Sequence, residues 1–177
     1  MLHQLKAHPS WIYVITFSPN EKQLVSISFY GGTKSRMWDV ESGEAIEAFP
    51  NRTPHIAFSP CSTIAACCGE NEILLWDIER REIVKTIPHP EDSWGPLYVL
   101  AFSPCGRYLA SGTWWDVWMD KMAIRLWEVE SGENIVTFLG HSSDIQDLAF
   151  SPDGTLLASG GFDKTILLWD MTPYIGS

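Results

Sequence analysis

An ordered pair of markers recurs four times along the chain, and it constrains the fold more tightly than any other feature of the sequence. Phe-Ser-Pro begins at Phe17, Phe58, Phe102 and Phe150, at spacings of 41, 44 and 48 residues. Each copy is followed by Trp and an acid: Trp38-Asp39, Trp76-Asp77, Trp127-Glu128 and Trp169-Asp170. Self-similarity at this period marks an array of like supersecondary units. The 177 residues therefore read as about four repeats of roughly 44 residues.

Each repeat reads as short strands joined by tight turns, most clearly in the last. The pattern predicts a first strand over Asp144 to Ser151, with Leu148 and Phe150 on one face. Ser151-Pro152-Asp153-Gly154 is a turn, because Pro fixes φ at its second position and Gly suits its fourth. Leu156 to Gly160 is the second strand and Thr165 to Met171 the third. The third is nearly all apolar, so it is expected to be covered on both faces. Fourth strands are expected at Ala45 to Phe49, Glu82 to Ile87 and Asn134 to Phe138. Helical periodicity is absent. Small antiparallel sheets packed front and back suggest radial stacking, the solution a β-propeller adopts.

The last repeat carries Gly140-His141, Phe150-Ser151-Pro152-Asp153-Gly154, Leu157-Ala158-Ser159-Gly160, Asp163 and Leu168-Trp169-Asp170. With these residues in these places the chain resembles the WD40-repeat family over essentially its whole length. The resemblance implies an all-β WD40 propeller, here with four blades of four antiparallel strands, serving as a non-catalytic platform for protein partners. It implies one repeat domain over 1–177, with repeats near 5–49, 50–87, 88–138 and 139–177. Residues 1–7 would supply the strand that completes the last blade. It also implies a buried hydrogen-bond chain from Asp163 to His141, His141 to Ser159 and Ser159 to Trp169.

The same His, Ser and Asp are the ingredients of a hydrolase triad. Ser159, however, lies within a predicted strand and lacks the Gly-x-Ser-x-Gly turn that exposes a nucleophile. The set also degrades along the chain, as a catalytic site would not. The first repeat has His8, Ser26 and Trp38 without an acid in the Phe29 to Thr33 turn. The second has Cys67 in the serine place and Asn71 in the acid place. The third has His89, Ser111 and Trp127, with Asp116 or Asp120 as the acid. No residue is read as catalytic, and no motif calls for a cofactor or metal.

The third repeat departs from the others. Phe-Ser-Pro lies 25 residues before its Trp, against 19 in the last repeat, and the excess falls in Thr113 to Met122. The loop before its first strand is also long. Both loops carry tryptophan, which places Trp94, Trp114, Trp115 and Trp118 at one rim, with Asp116 and Asp120 among them. An apolar loop at an exposed rim calls for a reason. Three readings stand: an aromatic anchor for a protein or peptide partner, packing of the loops on each other or on a subunit, and stacking of a sugar or cationic ligand.

Charge and cysteine usage narrow the partners. Twelve Lys+Arg against 22 Asp+Glu give a net charge of −10, which disfavours nucleic acid and anionic membranes. The longest apolar run, Pro96 to Phe102, is far below the roughly 18 residues of a membrane span. No charged-then-apolar leader follows Met1, so a cytoplasmic location is expected. Of the four cysteines, Cys61 and Cys105 take the turn position of Asp153 and are expected to be exposed thiols, while Cys67 and Cys68 are expected in the core. The resemblance to the WD40 family also implies that four such blades do not close on themselves. The chain is read as part of a longer propeller, or as half of an eight-bladed ring completed by a second copy.

Overall fold

The structure is a computed structural model that describes residues 2–6, 8–28, 35–48, 53–61, 63–69, 72–89, 97–114 and 122–175. Among them there are strands and turns but no helix. Contacts divide the chain into two compact units, 1–55 and 56–177.

The first unit holds one antiparallel meander of β1 (Ile12–Phe17), β2 (Gln23–Ser28), β3 (Arg36–Asp39) and β4 (Ala45–Ala48). The second unit holds three sheets. Strands β5 (Ile56–Phe58), β6 (Ile64–Cys68), β7 (Glu72–Asp77) and β8 (Glu82–Pro88) form one. Strands β9 (Leu97–Phe102), β10 (Tyr108–Thr113), β11 (Met122–Glu128) and β12 (Asn134–His141) form the next. The last is β13 (Ile145–Phe150), β14 (Leu156–Gly161) and β15 (Ile166–Asp170). It has three strands. Residues 2–6 form no strand. Instead the His3 ring lies against the β3–β4 turn of its own unit, with Nε2 2.9 Å from the Glu41 carbonyl oxygen.

Register is the same in every sheet, and it explains the sequence period. The repeat Trp pairs with Leu24, Ala65, Leu109 and Leu157 in turn. The core of the second unit then forms between consecutive sheets. Ile73 and Leu75 of β7 pack in one cluster with Leu97 and Leu100 of β9. One repeat on, Ile124 and Leu126 of β11 pack with Ile145 and Leu148 of β13. Each such side chain, once buried, contributes about 1.5–3 kcal/mol of transfer free energy. Residues two apart on a strand share a face, so β7 and β11 each bury one apolar row against the first strand of the next sheet.

The last sheet breaks this rule and corrects the expectation that its third strand is covered on both faces. Ile166 and Leu168 pair with Gly160 and Ala158, just as Ile124 and Leu126 pair with Gly112 and Ala110. Yet Ile166 and Leu168 are 76% and 67% exposed, whereas Ile124 and Leu126 are 1% and 0% exposed. Leu156 and Phe162 extend the same exposed apolar surface. In the first unit the counterparts of Ile145 and Leu148 are Ile12 and Ile15, and these too are exposed.

Candidate functional site

The last repeat assembles a closed hydrogen-bond chain from three elements. Trp169 on β15 donates from Nε1 to Ser159 Oγ on β14 at 2.9 Å. Ser159 Oγ lies 2.8 Å from His141 Nε2. His141, at the end of β12, places Nδ1 2.8 Å from Asp163 Oδ2 in the β14–β15 turn. An indole can only donate and a carboxylate only accept, so the proton order runs from Trp169 through the Ser159 hydroxyl to Nε2, while Nδ1–H donates to Asp163. His141 is fully buried and Ser159 is 1% exposed. The serine hydroxyl has one donor and one acceptor already, and its burial keeps it from a substrate. The arrangement orients polar groups inside a sheet, as buried polar atoms require.

Asp163 anchors the chain at the surface. Its Oδ1 accepts the Thr165 hydroxyl at 2.7 Å and the Thr165 amide at 3.0 Å, and its Oδ2 also accepts the Ser142 amide at 3.0 Å. Burial pushes this carboxyl up, but the bonds from Thr165, His141 and Ser142 together outweigh burial and hold it well below the usual carboxylate range. The folded state therefore favours the ionised form. That contribution is complete above the ordinary carboxylate pKa of about 4 and is lost as pH falls through the lower folded value. Asp163→Asn removes it. In urea melts the gap between wild type and variant is expected to be widest at pH 7 and to narrow below about pH 4. A gap that ignored pH would assign the loss to packing.

The other repeats hold partial versions. In the first, Trp38 Nε1 donates to Ser26 Oγ at 2.9 Å, and His8 Nε2 lies 2.9 Å from the same oxygen. His8 Nδ1 is buried without a hydrogen-bond partner among the described residues, where Asp163 would stand in the last repeat. Burial pushes the His8 ring down, the Ser26 backbone acts against this, and the Arg36 charge adds to the lowering. In the second repeat Cys67 pairs with Leu74 two positions from the Trp76 pair, which is the register of Ser159. It is buried, and burial pushes its thiol far up. In the third, Trp127 Nε1 donates to Ser111 Oγ at 2.8 Å. There Arg125 Nη1 donates to His89 Nε2 at 3.2 Å, a partner the sequence reading did not foresee. The candidate acids Asp116 and Asp120, and Asn71, lie outside the described residues.

So do Trp94, Trp115 and Trp118 of the expected rim. Trp114 is described: it is half-buried, and its ring packs on Tyr98 of β9 with centroids 4.9 Å apart at 37°. Sequence reasoning missed Tyr98, although its place on the strand below the rim was available. No group of His, Cys, Asp and Glu among the described residues could hold a metal ion.

These features, a four-stranded meander repeated with fixed register and a Trp-Ser-His-Asp chain tying its strands, define a blade of the WD40 type. The family described as WD domain, G-beta repeat matches residues 1–39, 81–128 and 132–170, well over half of the sequence, and the chain belongs to it. Its sheets are WD40 β-propeller blades. The chain is similar to Periodic tryptophan protein 2 of Arabidopsis thaliana, at 28% identity over 92% of this chain and 18% of that protein. It is similar to Transcription initiation factor TFIID subunit 5 of Caenorhabditis elegans, at 25% identity over 93% of this chain and 24% of that protein. Nuclear distribution protein PAC1 of Arthroderma benhamiae is 27% identical over 96% of this chain and 38% of that protein. The chain thus spans well under half the length of each of these relatives.

Proposed function

We propose that the chain is a non-catalytic scaffold for protein–protein interaction in the cytoplasm, and that a protein or peptide partner contacts the tryptophan-rich rim of the third repeat. What carries the reading is the sealing of His141, Ser159 and Asp163 in a hydrogen-bond chain within the last blade, where they hold blade geometry and leave recognition to the surface. Trp114 is the fixed point of the rim, seated on Tyr98. The net charge of −10 favours a basic partner and would speed its encounter. Trp114→Ala with Trp118→Ala is expected to weaken capture of a basic peptide by about 2 kcal/mol while leaving the melting temperature near wild type. Lower stability with unchanged affinity would mean that the rings only hold the loops. Quenching of tryptophan fluorescence by sugars or amines, but not by peptides, would favour a small-ligand module instead.

A second contact is supported by the open blade face. In the second unit the first strand of the third and fourth blades covers the third strand of the blade before with an apolar pair, Leu97 and Leu100 or Ile145 and Leu148. Ile12 and Ile15 are that pair in the first blade, and they are exposed. We infer that the first blade of a second copy docks on the Ile166 and Leu168 face, so that two chains complete an eight-bladed ring. Light scattering is expected to give twice the chain mass of 20.0 kDa, and Ile166→Lys is expected to return it to one. A monomer in the wild type would overturn the second copy as the cover and point to further blades of a longer chain.

A further inference from the structure

Cys61 and Cys105 occupy one position in consecutive repeats, each the third residue of a Ser-Pro-Cys turn after a first strand. The two turns touch. Cys61 Sγ donates to the Cys105 carbonyl oxygen at 3.2 Å. The same sulfur lies so close to Gly106 that a Cβ there would sit 2.3 Å from it, so only a glycine admits it. Through two bond lengths, that contact puts the Cys61 sulfur within about 6 Å of the Cys105 Cα. A disulfide needs Cα atoms about 4.4–6.8 Å apart, so the proposal requires rotation of the two short side chains to bring the sulfurs together. Both thiols are free and exposed. Cys105 also lines a cleft of about 840 Å³ with Pro104, Arg107, Asp153 and Thr155, which gives small solutes access.

The turn that holds Cys105 is built to receive an anion. In the last repeat Asp153 fills the same place, and its Oδ1 accepts the Ser151 hydroxyl at 2.6 Å and the Thr155 amide at 3.0 Å. In the third repeat the equivalent hydroxyl, Ser103 Oγ, is 3.3 Å from Cys105 Sγ. Burial pushes the Cys105 thiol up, but Ser103, the Arg107 amide and the Arg107 charge outweigh it and leave the thiol below its ordinary value. The thiolate is the reactive form of cysteine, and an accessible thiol with anion-stabilising neighbours and a second thiol beside it has the features of a redox sensor.

We propose that Cys105 and Cys61 are a peroxide-sensitive pair that forms a reversible disulfide between the turns of the second and third blades. The Cys105 thiolate attacks one oxygen of hydrogen peroxide, the O–O bond breaks, and the leaving hydroxide takes a proton to become water. Cys61 sulfur then attacks the Cys105 sulfenic sulfur, the S–O bond breaks, and a second water leaves. The two thiols lose two electrons and two protons, and the peroxide is reduced to two waters. Exchange with a small thiol such as dithiothreitol restores both cysteines. Cys67 and Cys68 are internal controls, since both are buried and neighbours on a strand point to opposite faces.

The test is a peroxide titration of the whole chain followed by thiol counting under denaturing conditions. Two of the four thiols should disappear, the mass should fall by two hydrogens, and a peptide map should join the Cys61 and Cys105 peptides. Dithiothreitol should restore all four thiols. Cys61→Ser should stop at a sulfenic acid on Cys105 that dimedone traps, and Cys105→Ser should slow peroxide consumption at least tenfold. Four thiols surviving peroxide would overturn the proposal. So would a disulfide that used Cys67 or Cys68 or that formed only between copies, or a Cys105→Ser variant that reacted as fast as wild type.

Discussion

Leu126→Ala is expected to cost about 3 kcal/mol of stability, and Leu168→Ala, at the same register position one repeat later, about 0.5 kcal/mol or less in a monomer. The two side chains are chemically identical, and both pair with an alanine on the second strand of their sheet. Leu126 is fully buried in the cluster that includes Ile145 and Leu148, so truncation removes transfer free energy and leaves a cavity that close-packed strands refill only in part. Leu168 has water on that face, so truncation leaves no cavity. Urea melts of the two variants at low protein concentration measure the difference. If the face is covered by a second copy, the cost of Leu168→Ala should grow with protein concentration, because only the assembled form buries it. Equal costs at every concentration would mean that the face closes within one chain.

His141→Ala should cost about 2–3 kcal/mol, and His8→Ala about 1 kcal/mol. His141 bridges two groups with no water to replace it. Its loss leaves the Ser159 hydroxyl without its acceptor and takes one of the hydrogen bonds to Asp163. His8 is less buried and holds only Ser26 through Nε2, and its Nδ1 already lacks a hydrogen-bond partner among the described residues. Removing it also removes that unsatisfied atom, which offsets part of the loss. Reversed costs would mean that the first unit leans on its histidine through contacts other than this chain. The His8 ring is held below its ordinary value, so its neutral form suits the fold. Its stability contribution is therefore complete above about pH 6.5 and declines as pH falls below that.

The anion-receiving turn and the buried network show how one repeat can be put to different uses by single residues. Aspartate at position 153 caps its turn through Ser151 and Thr155. Cysteine at position 105 keeps the equivalent hydroxyl and amide donors and brings redox chemistry to them. Serine at 159 relays a proton order between Trp169 and His141, whereas Cys67 in the same register is buried and held as a neutral thiol. The blade tolerates these changes because strand pairing by backbone groups sets its geometry, and the side chains at these places only tune it.

The sequence alone determined the repeat and the strands, both local or periodic features, and resemblance to the WD40 family pointed to the residues of the hydrogen-bond chain. Pro and Gly punctuate the turns through their own dihedral limits, a two-residue alternation assigns faces, and a marker every 44 residues or so counts the blades. Tertiary structure decided what lies against each face. Ile124 and Ile166 read alike in sequence, and only the presence of β13 beside the first and of water beside the second separates a core residue from an exposed one. The same holds for Cys61, whose contact with Cys105 spans 44 residues and depends on two turns meeting. It holds too for His89, whose ring meets Arg125 across 36 residues of chain. Burial and long-range contact are properties of neighbours, and a strand's own residues do not specify which neighbour arrives.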